Sequence, residues 1–176
     1  MNKVSMYLIT IILIFVFANA HAVGTAKDLE GLSIIYVTEP NTSGDIEKFG
    51  ISAKKMKEYV EMRLRLCGIR VAPNHITYDA ACSTWIINPY IVINLLYVCG
   101  SMTSAHLNIE LLECANLKRN ESCIYGKQLT NSMIFQYGDN YQLGKAIMGS
   151  LEDFMNTFTN LYLEANPREF ITKDKP

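Results

Sequence analysis

The sequence lacks most of the signatures that mark an enzyme. No stretch fits G-x-x-x-x-G-K-[ST] or G-x-G-x-x-G, so it carries neither phosphate loop nor dinucleotide fingerprint. A G-x-S-x-G nucleophile elbow and an H-E-x-x-H metal helix are also missing. Of three histidines, only His75 and His106 lie beyond the first 22 residues. The five cysteines contain no C-x-x-C, which excludes a zinc ribbon and a thioredoxin-type centre. Asp139-Asn140-Tyr141 places an aromatic where a calcium loop needs an oxygen ligand. No cofactor or metal site is expected.

Charge of one sign is equally scarce. Lys3 is the one charged residue of the first 22, so the remainder carries 15 basic and 17 acidic side chains, net −2. Nucleic-acid binders concentrate basic charge on one face, so a nucleic-acid partner is not expected. Lys54, Lys55, Lys57, Arg63, Arg65 and Arg70 cluster, but Glu58 and Glu61 sit among them. The pairs Lys54–Glu58, Lys57–Glu61 and Glu61–Arg65 read as a solvated helix face.

The most informative feature present is the amino terminus. Lys3 precedes an apolar run from Tyr7 to Ala18, and Ala20-His21-Ala22 is a small-residue cleavage site. A positive start, a short apolar middle and small residues before the cut form a secretory signal peptide. The run falls short of the roughly 20 apolar residues a spanning helix needs. Cleavage between Ala22 and Val23 is expected, giving residues 1–22 as signal peptide, 23–166 as a single domain and 167–176 as a polar tail. The mature chain would be periplasmic or secreted. The apolar stretch from Trp85 to Val98 is interrupted by Asn88, Pro89 and Asn94, so no integral span is expected after signal removal.

Export also gives the cysteines a reading. Cys67, Cys82, Cys99, Cys114 and Cys123 all follow the signal, and exported domains use cysteine for disulfides. Five is odd, so at least one thiol is free or pairs with another chain. A hairpin turn centred on Leu117 to Asn120 would set Cys114 opposite Cys123 and Glu110 opposite Lys127, making Cys114–Cys123 the first candidate disulfide. Cys67–Cys82 is the second. The competing reading of Cys67 is a reduced thiol filling the core.

Periodicity then orders the elements. Leu32 to Val37 is β-branched and aromatic, apolar on both faces, and reads as an internal strand. Glu39 to Gly50 is loop by composition. Ser52 caps a helix whose Met56, Val60, Leu64 and Cys67 share one face, and Gly68 ends it. Ile69 to Val71 is a short strand, and Asn74 to Thr84 an irregular excursion. Tyr90 to Cys99 and Ala105 to Leu117 form a hairpin, with Leu107, Ile109 and Leu111 on one side and Asn108 and Glu110 on the other. A third strand follows from Ile124 to Tyr137, with Gly126 as a candidate bulge. Asp139 or Asn140 caps the last helix. Its Leu143, Ile147, Leu151, Phe154, Phe158, Leu161 and Ala165 recur at steps of three and four, with Asn166-Pro167 as the stop. The fold class is α+β: an antiparallel-rich sheet of four to five strands with two helices packed on one face.

This layout is similar to uncharacterised exported bacterial proteins. The similarity rests on the Leu32-centred strand, the run Glu61-Met62-Arg63-Leu64-Arg65-Leu66-Cys67-Gly68-Ile69, the hairpin, and the long helix closing in Glu164-Ala165-Asn166-Pro167. The architecture resembles the amino-terminal domain of the translocation protein TolB and transporter-auxiliary domains. That resemblance implies a non-enzymatic accessory role in the envelope, with a protein partner there or outside the cell, and carries no catalytic residues.

Two rival chemistries remain. One is a small secreted cysteine hydrolase or transferase, its thiol activated by His75 or His106 with Asp79 as orienting carboxylate; His75, Asp79 and Cys82 share one loop. The other is a secreted host-directed factor. Trp85 and Tyr90, flanking Pro89, are candidates for a contact edge. His106 has the parity of a solvated sheet face. Asn41-Thr42-Ser43 and Asn120-Glu121-Ser122 match the N-glycosylation pattern, which matters only in a eukaryotic chain.

Overall fold

A computed structural model describes residues 24–79, 84–99, 103–116 and 123–167. The expected signal peptide and cleavage site, Cys82, and the tail beyond Pro167 lie outside the described residues.

Among the described residues, eight strands and two α-helices follow in chain order: β1 (Ile34–Val37), β2 (Asn41–Thr42), α1 (Ala53–Leu66), β3 (Arg70–Val71), β4 (Ile76–Asp79), β5 (Thr84–Ile87), β6 (Tyr90–Cys99), β7 (Thr103–Asn116), β8 (Cys123–Tyr137) and α2 (Asn140–Ala165). Short 3₁₀ turns occupy Ala26–Leu29 and Glu47–Phe49. The main sheet runs β3-β1-β6-β7-β8, with β2 also paired to β6. β1 is parallel to both neighbours, whereas β6, β7 and β8 are antiparallel. The sheet is therefore mixed and six-stranded, not the antiparallel-rich sheet of four to five strands expected. The parallel part arises because α1 carries the chain from β1 across to β3.

The helices begin where the side chains allow. The Ser52 hydroxyl accepts the Lys55 N–H at 3.2 Å and the Asp139 carboxylate accepts the Tyr141 N–H at 2.9 Å. Each satisfies one orphan donor of a first turn. α1 ends at Gly68, whose φ of +85° suits glycine, and the Ile69 N–H returns to the Leu64 carbonyl.

One face of the sheet is covered. Ile35 and Val37 of β1, Ile91, Ile93 and Leu95 of β6, and Ala105 to Leu111 at alternate positions of β7 are buried. They meet Met56, Val60 and Leu64 of α1 and Leu143, Ile147, Leu151, Phe154 and Phe158 of α2. Each such side chain contributes roughly 1.5–3 kcal/mol by leaving water. Both helices thus lie on the same face, as the periodicity predicts.

Four expectations need correction. Residues 76–79 and 84–87 pair as a separate antiparallel hairpin, not an irregular excursion. The loop after Glu39 contains β2, whose Asn41 and Thr42 sit beside Asn94 and Leu95. In the β7–β8 ladder Cys114 faces Tyr125 and Cys123 faces Asn116, so the two cysteines are not directly opposed. The long apolar pairing of residues 105–111 with 129–135 sets the register, and the turn adapts to it. The bulge falls at Gln128, where Leu111 faces Leu129 but Leu112 faces Lys127, and not at Gly126.

Two glycines interrupt α2 with opposite surroundings. An alanine methyl at Gly149 would meet nothing within 4 Å. Gly149→Ala is therefore expected to stabilise the domain by about 1 kcal/mol through helix propensity, read as a higher urea midpoint.

Candidate functional site: the open face of the sheet

Strand alternation sends the even-numbered side chains of β6 and β7 away from the helices. Their register across the sheet builds rows. Leu96 faces His106, which faces Ile134; one row further along, Val98 faces Ser104, which faces Gln136. Leu96 is 50% exposed, Val98 73% and Ile134 75%. Three large apolar side chains thus stand in water on one face, around a histidine. The His106 Nε2 lies 2.7 Å from the Ser132 hydroxyl. Next to this patch the Asn41 amide donates to the Asn94 side-chain oxygen at 3.3 Å. Asn41, expected as a possible glycosylation position, is engaged here in a strand.

The face becomes charged and then aromatic toward β1. Glu110 is buried and paired with Lys127. The two meet as the hairpin reading expects, although Glu110 itself stands opposite Thr130, so Lys127 reaches it diagonally. Beyond them Tyr36 and Tyr90 flank His75, with ring centroids 6.2 and 4.3 Å away. Lys57 of α1 donates to Glu39 at 2.6 Å, and this bond raises the pKa of its ammonium. Lys57 therefore takes Glu39 instead of Glu61, while Lys54–Glu58 and Arg65–Glu61 form as the spacing predicts.

At Cys67 the structure does not assemble the thiol chemistry considered from sequence, and Cys82 lies outside the described residues. His75 immediately precedes β4 and Asp79 ends it, about 13 Å apart if the segment is extended. The His75 ring packs on tyrosines. The side chains of Asp79 and Trp85 are outside the described residues. Cys67 is a free thiol, buried between the helices with its sulfur 3.3 Å from the Thr159 hydroxyl. The sheet separates it from His106. Its free state also removes the Cys67–Cys82 pairing: the apolar stripe of α1 turns Cys67 inward, where Thr159 occupies its sulfur. Cys114 is disulfide-bonded. Its partner's side chain is not among those described, and the direct opposition on which Cys114–Cys123 rested is replaced by a diagonal offset.

A second surface feature lies between the helices. Arg63, Leu66, Cys67, Thr159 and Leu163 line a groove of about 400 Å³. Arg63 is already engaged, donating to the Asn156 side-chain oxygen at 2.6 Å. Among the described residues no group of three or more His, Cys, Asp or Glu is placed to hold a metal, and no helix is long and apolar enough to cross a membrane.

Alternation along β7 reveals the exposed parity of His106 and Asn108. The apolar patch itself is not legible in the sequence, because Leu96, Val98 and Ile134 are indistinguishable there from core residues.

These features define an α+β domain with one helix-covered face and one open face. No family model matches the chain, and no curated protein matches it. Among solved structures it is similar to PelC, crystallised as a dodecamer, from Paraburkholderia phytofirmans, at 10% identity and a TM-score of 0.40 over 77% of this chain and 94% of that one. The hypothetical protein CT253 from Chlamydia trachomatis matches at 8% identity and a TM-score of 0.44, over 75% and 99% of the two chains. A neuraminyllactose-binding hemagglutinin homolog from Helicobacter pylori matches at 13% identity and 0.38, over 78% and 91%. All three are bacterial proteins.

Proposed function

We propose that the chain is an exported, non-enzymatic accessory or binding protein of the bacterial envelope, and that the open sheet face makes its contact. One observation carries the proposal: Leu96, Val98 and Ile134 are exposed together on one face of a sheet whose other face packs against both helices. Scattered exposed apolar residues are ordinary, but a contiguous patch marks a contact surface. The signal-like amino terminus and the disulfide at Cys114 support an oxidising compartment. The separation of Cys67 from both histidines speaks against a cysteine enzyme built on that thiol.

The test combines location with contact. Expressed as the full chain in bacteria, the protein is expected in the periplasmic fraction, beginning at Val23. A photo-crosslinking residue at Leu96 is expected to give an adduct to a different protein, absent when the crosslinker replaces Lys54 on the helix side. Uncut protein in the cytosol, or equal adducts at both positions, overturns the proposal.

A further inference from the structure

β8 closes one side of the sheet, and among the described residues no strand pairs with its outer edge. The chain around Gly24 approaches Gln128 and Leu129, which among the described residues leaves Thr130 to Tyr137 as the bare stretch. Eight extended residues span about 27 Å. Proteins usually blunt such an edge with charge, proline or a bulge, because its free N–H and C=O groups template further pairing. Thr130-Asn131-Ser132-Met133-Ile134-Phe135-Gln136-Tyr137 contains no charge, proline or glycine. The only charged residue of β8 is Lys127, which is drawn onto Glu110, and the bulge at Gln128 lies before the stretch begins.

We propose that this edge pairs with the same edge of a second copy, antiparallel, about a two-fold axis through Ile134. Directly opposed residues of a continuous sheet share a face, so the paired residue numbers must sum to an even value. With Ile134 against its own twin, Ser132 meets Gln136 of the partner subunit and Met133 meets Phe135 of the partner subunit. Open-face residues then meet open-face residues, and core-side residues meet core-side residues. A second copy suits this edge because a two-fold axis sets like against like. A charge at the axis would face itself, and the stretch has none. Ile134, 75% exposed in the single chain, gains its twin as a flanking neighbour in the pairing. The row of Leu96, His106 and Ile134 continues into its mirror, joining two apolar patches into one. The contact is small beside the roughly 800 Å² per partner of a standard interface, so the dimer forms in a concentration-dependent way.

Sedimentation equilibrium on the mature chain is expected to show a monomer–dimer equilibrium, shifted to monomer by Ile134→Lys with circular dichroism and melting temperature unchanged. Ile134→Cys is expected to give a covalent dimer on mild oxidation, whereas Leu96→Cys, two strands in from the edge, does not. A mature chain that stays monomeric at the highest soluble concentration overturns the pairing, as does a dimer indifferent to Ile134→Lys or equal crosslinking at both cysteines. These outcomes are independent of the function proposed above. A monomer with an envelope partner at Leu96 defeats the pairing alone; a dimer with no adduct at Leu96 to another protein defeats that function alone.

Discussion

Gly144→Ala is expected to destabilise the domain by about 3 kcal/mol, although intrinsic preference alone favours alanine there by roughly 1 kcal/mol. The reason is a backbone contact. A methyl group on Gly144 would overlap the carbonyl oxygen of Phe49 and press on its carbonyl carbon. A flexible side chain could turn aside; a peptide carbonyl moves only with its segment. That segment is anchored, because Phe49 is 1% exposed, packs edge-on against Tyr97 at 5.0 Å, and sits in a 3₁₀ turn closed by Gly50 at φ +74°. The overlap therefore forces either α2 or the turn out of place, and both belong to one core. In a domain of this length the loss lowers the melting temperature by about 6–12 °C. Gly149→Ala, five residues along the same helix, is the internal control. Urea midpoints that move in opposite directions for the two variants establish the contact. If both rise together, α2 and the Phe49 turn are not apposed as described.

Those two glycines show what the sequence carries about packing. Periodicity places α2 correctly, and a glycine in a helix interior costs about 1 kcal/mol against alanine, which marks both positions as anomalies. A close approach to the sheet is the natural reading of such an anomaly, but the backbone that approaches is the Phe49 turn. Phe49 lies 95 residues away in a segment that reads as loop by composition. Contacts of that separation leave no periodic trace. The same limit explains β2 and the hairpin of β4 and β5. β2 is two residues long and exists through its pairing with β6, so no local propensity announces it. In the hairpin, His75 and Asn88 hold the base: the Asn88 N–H donates to the His75 carbonyl at 2.8 Å, and its side-chain amide reaches the Asn74 carbonyl at 3.0 Å. Buried amides of this sort read from sequence as turn residues.

The candidate site was legible in parity and not in position. Alternation of Leu107, Ile109 and Leu111 with Asn108 and Glu110 correctly separates the two faces of β7. It does not reveal that Leu96, Val98 and Ile134 point into water, since apolar residues look alike on either face of a strand. Only the location of both helices on the opposite side decides it. Likewise direct opposition of Cys114 and Cys123 depends on where the turn is centred, and a change of one residue in that centre moves opposed pairs by two. The ion pair of Glu110 with Lys127 survives because a lysine side chain is long enough to span the offset.

The last expectation concerns Asn166, read from sequence only as the point where α2 stops before Pro167. Its side chain does more than end the helix. The Asn166 amide nitrogen donates to the Leu29 carbonyl at 2.8 Å and to the Tyr162 carbonyl at 3.0 Å, while its oxygen accepts the Gly31 N–H at 2.8 Å. One side chain thus satisfies a carbonyl in the last turn of α2 and two backbone groups of the segment that leads into β1. Leu29 in that segment is 1% exposed, so the bonds hold a buried residue in register with the helix end. Removing three bonds worth about 1 kcal/mol each, in a partly solvated position, costs about 2 kcal/mol in Asn166→Ala. Asn166→Asp distinguishes the parts. It retains an acceptor for Gly31 but sets a carboxylate against two carbonyl oxygens, so it is expected to be at least as harmful as alanine above the carboxylate pKa and less harmful below it. Hydrogen exchange gives the local readout. Protection at Gly31 is expected to fall in Asn166→Ala well before protection in β7 does, because the two segments part while the sheet stays paired. Unchanged exchange at Gly31 in that variant would show that the lead-in is held by the burial of Leu29 alone.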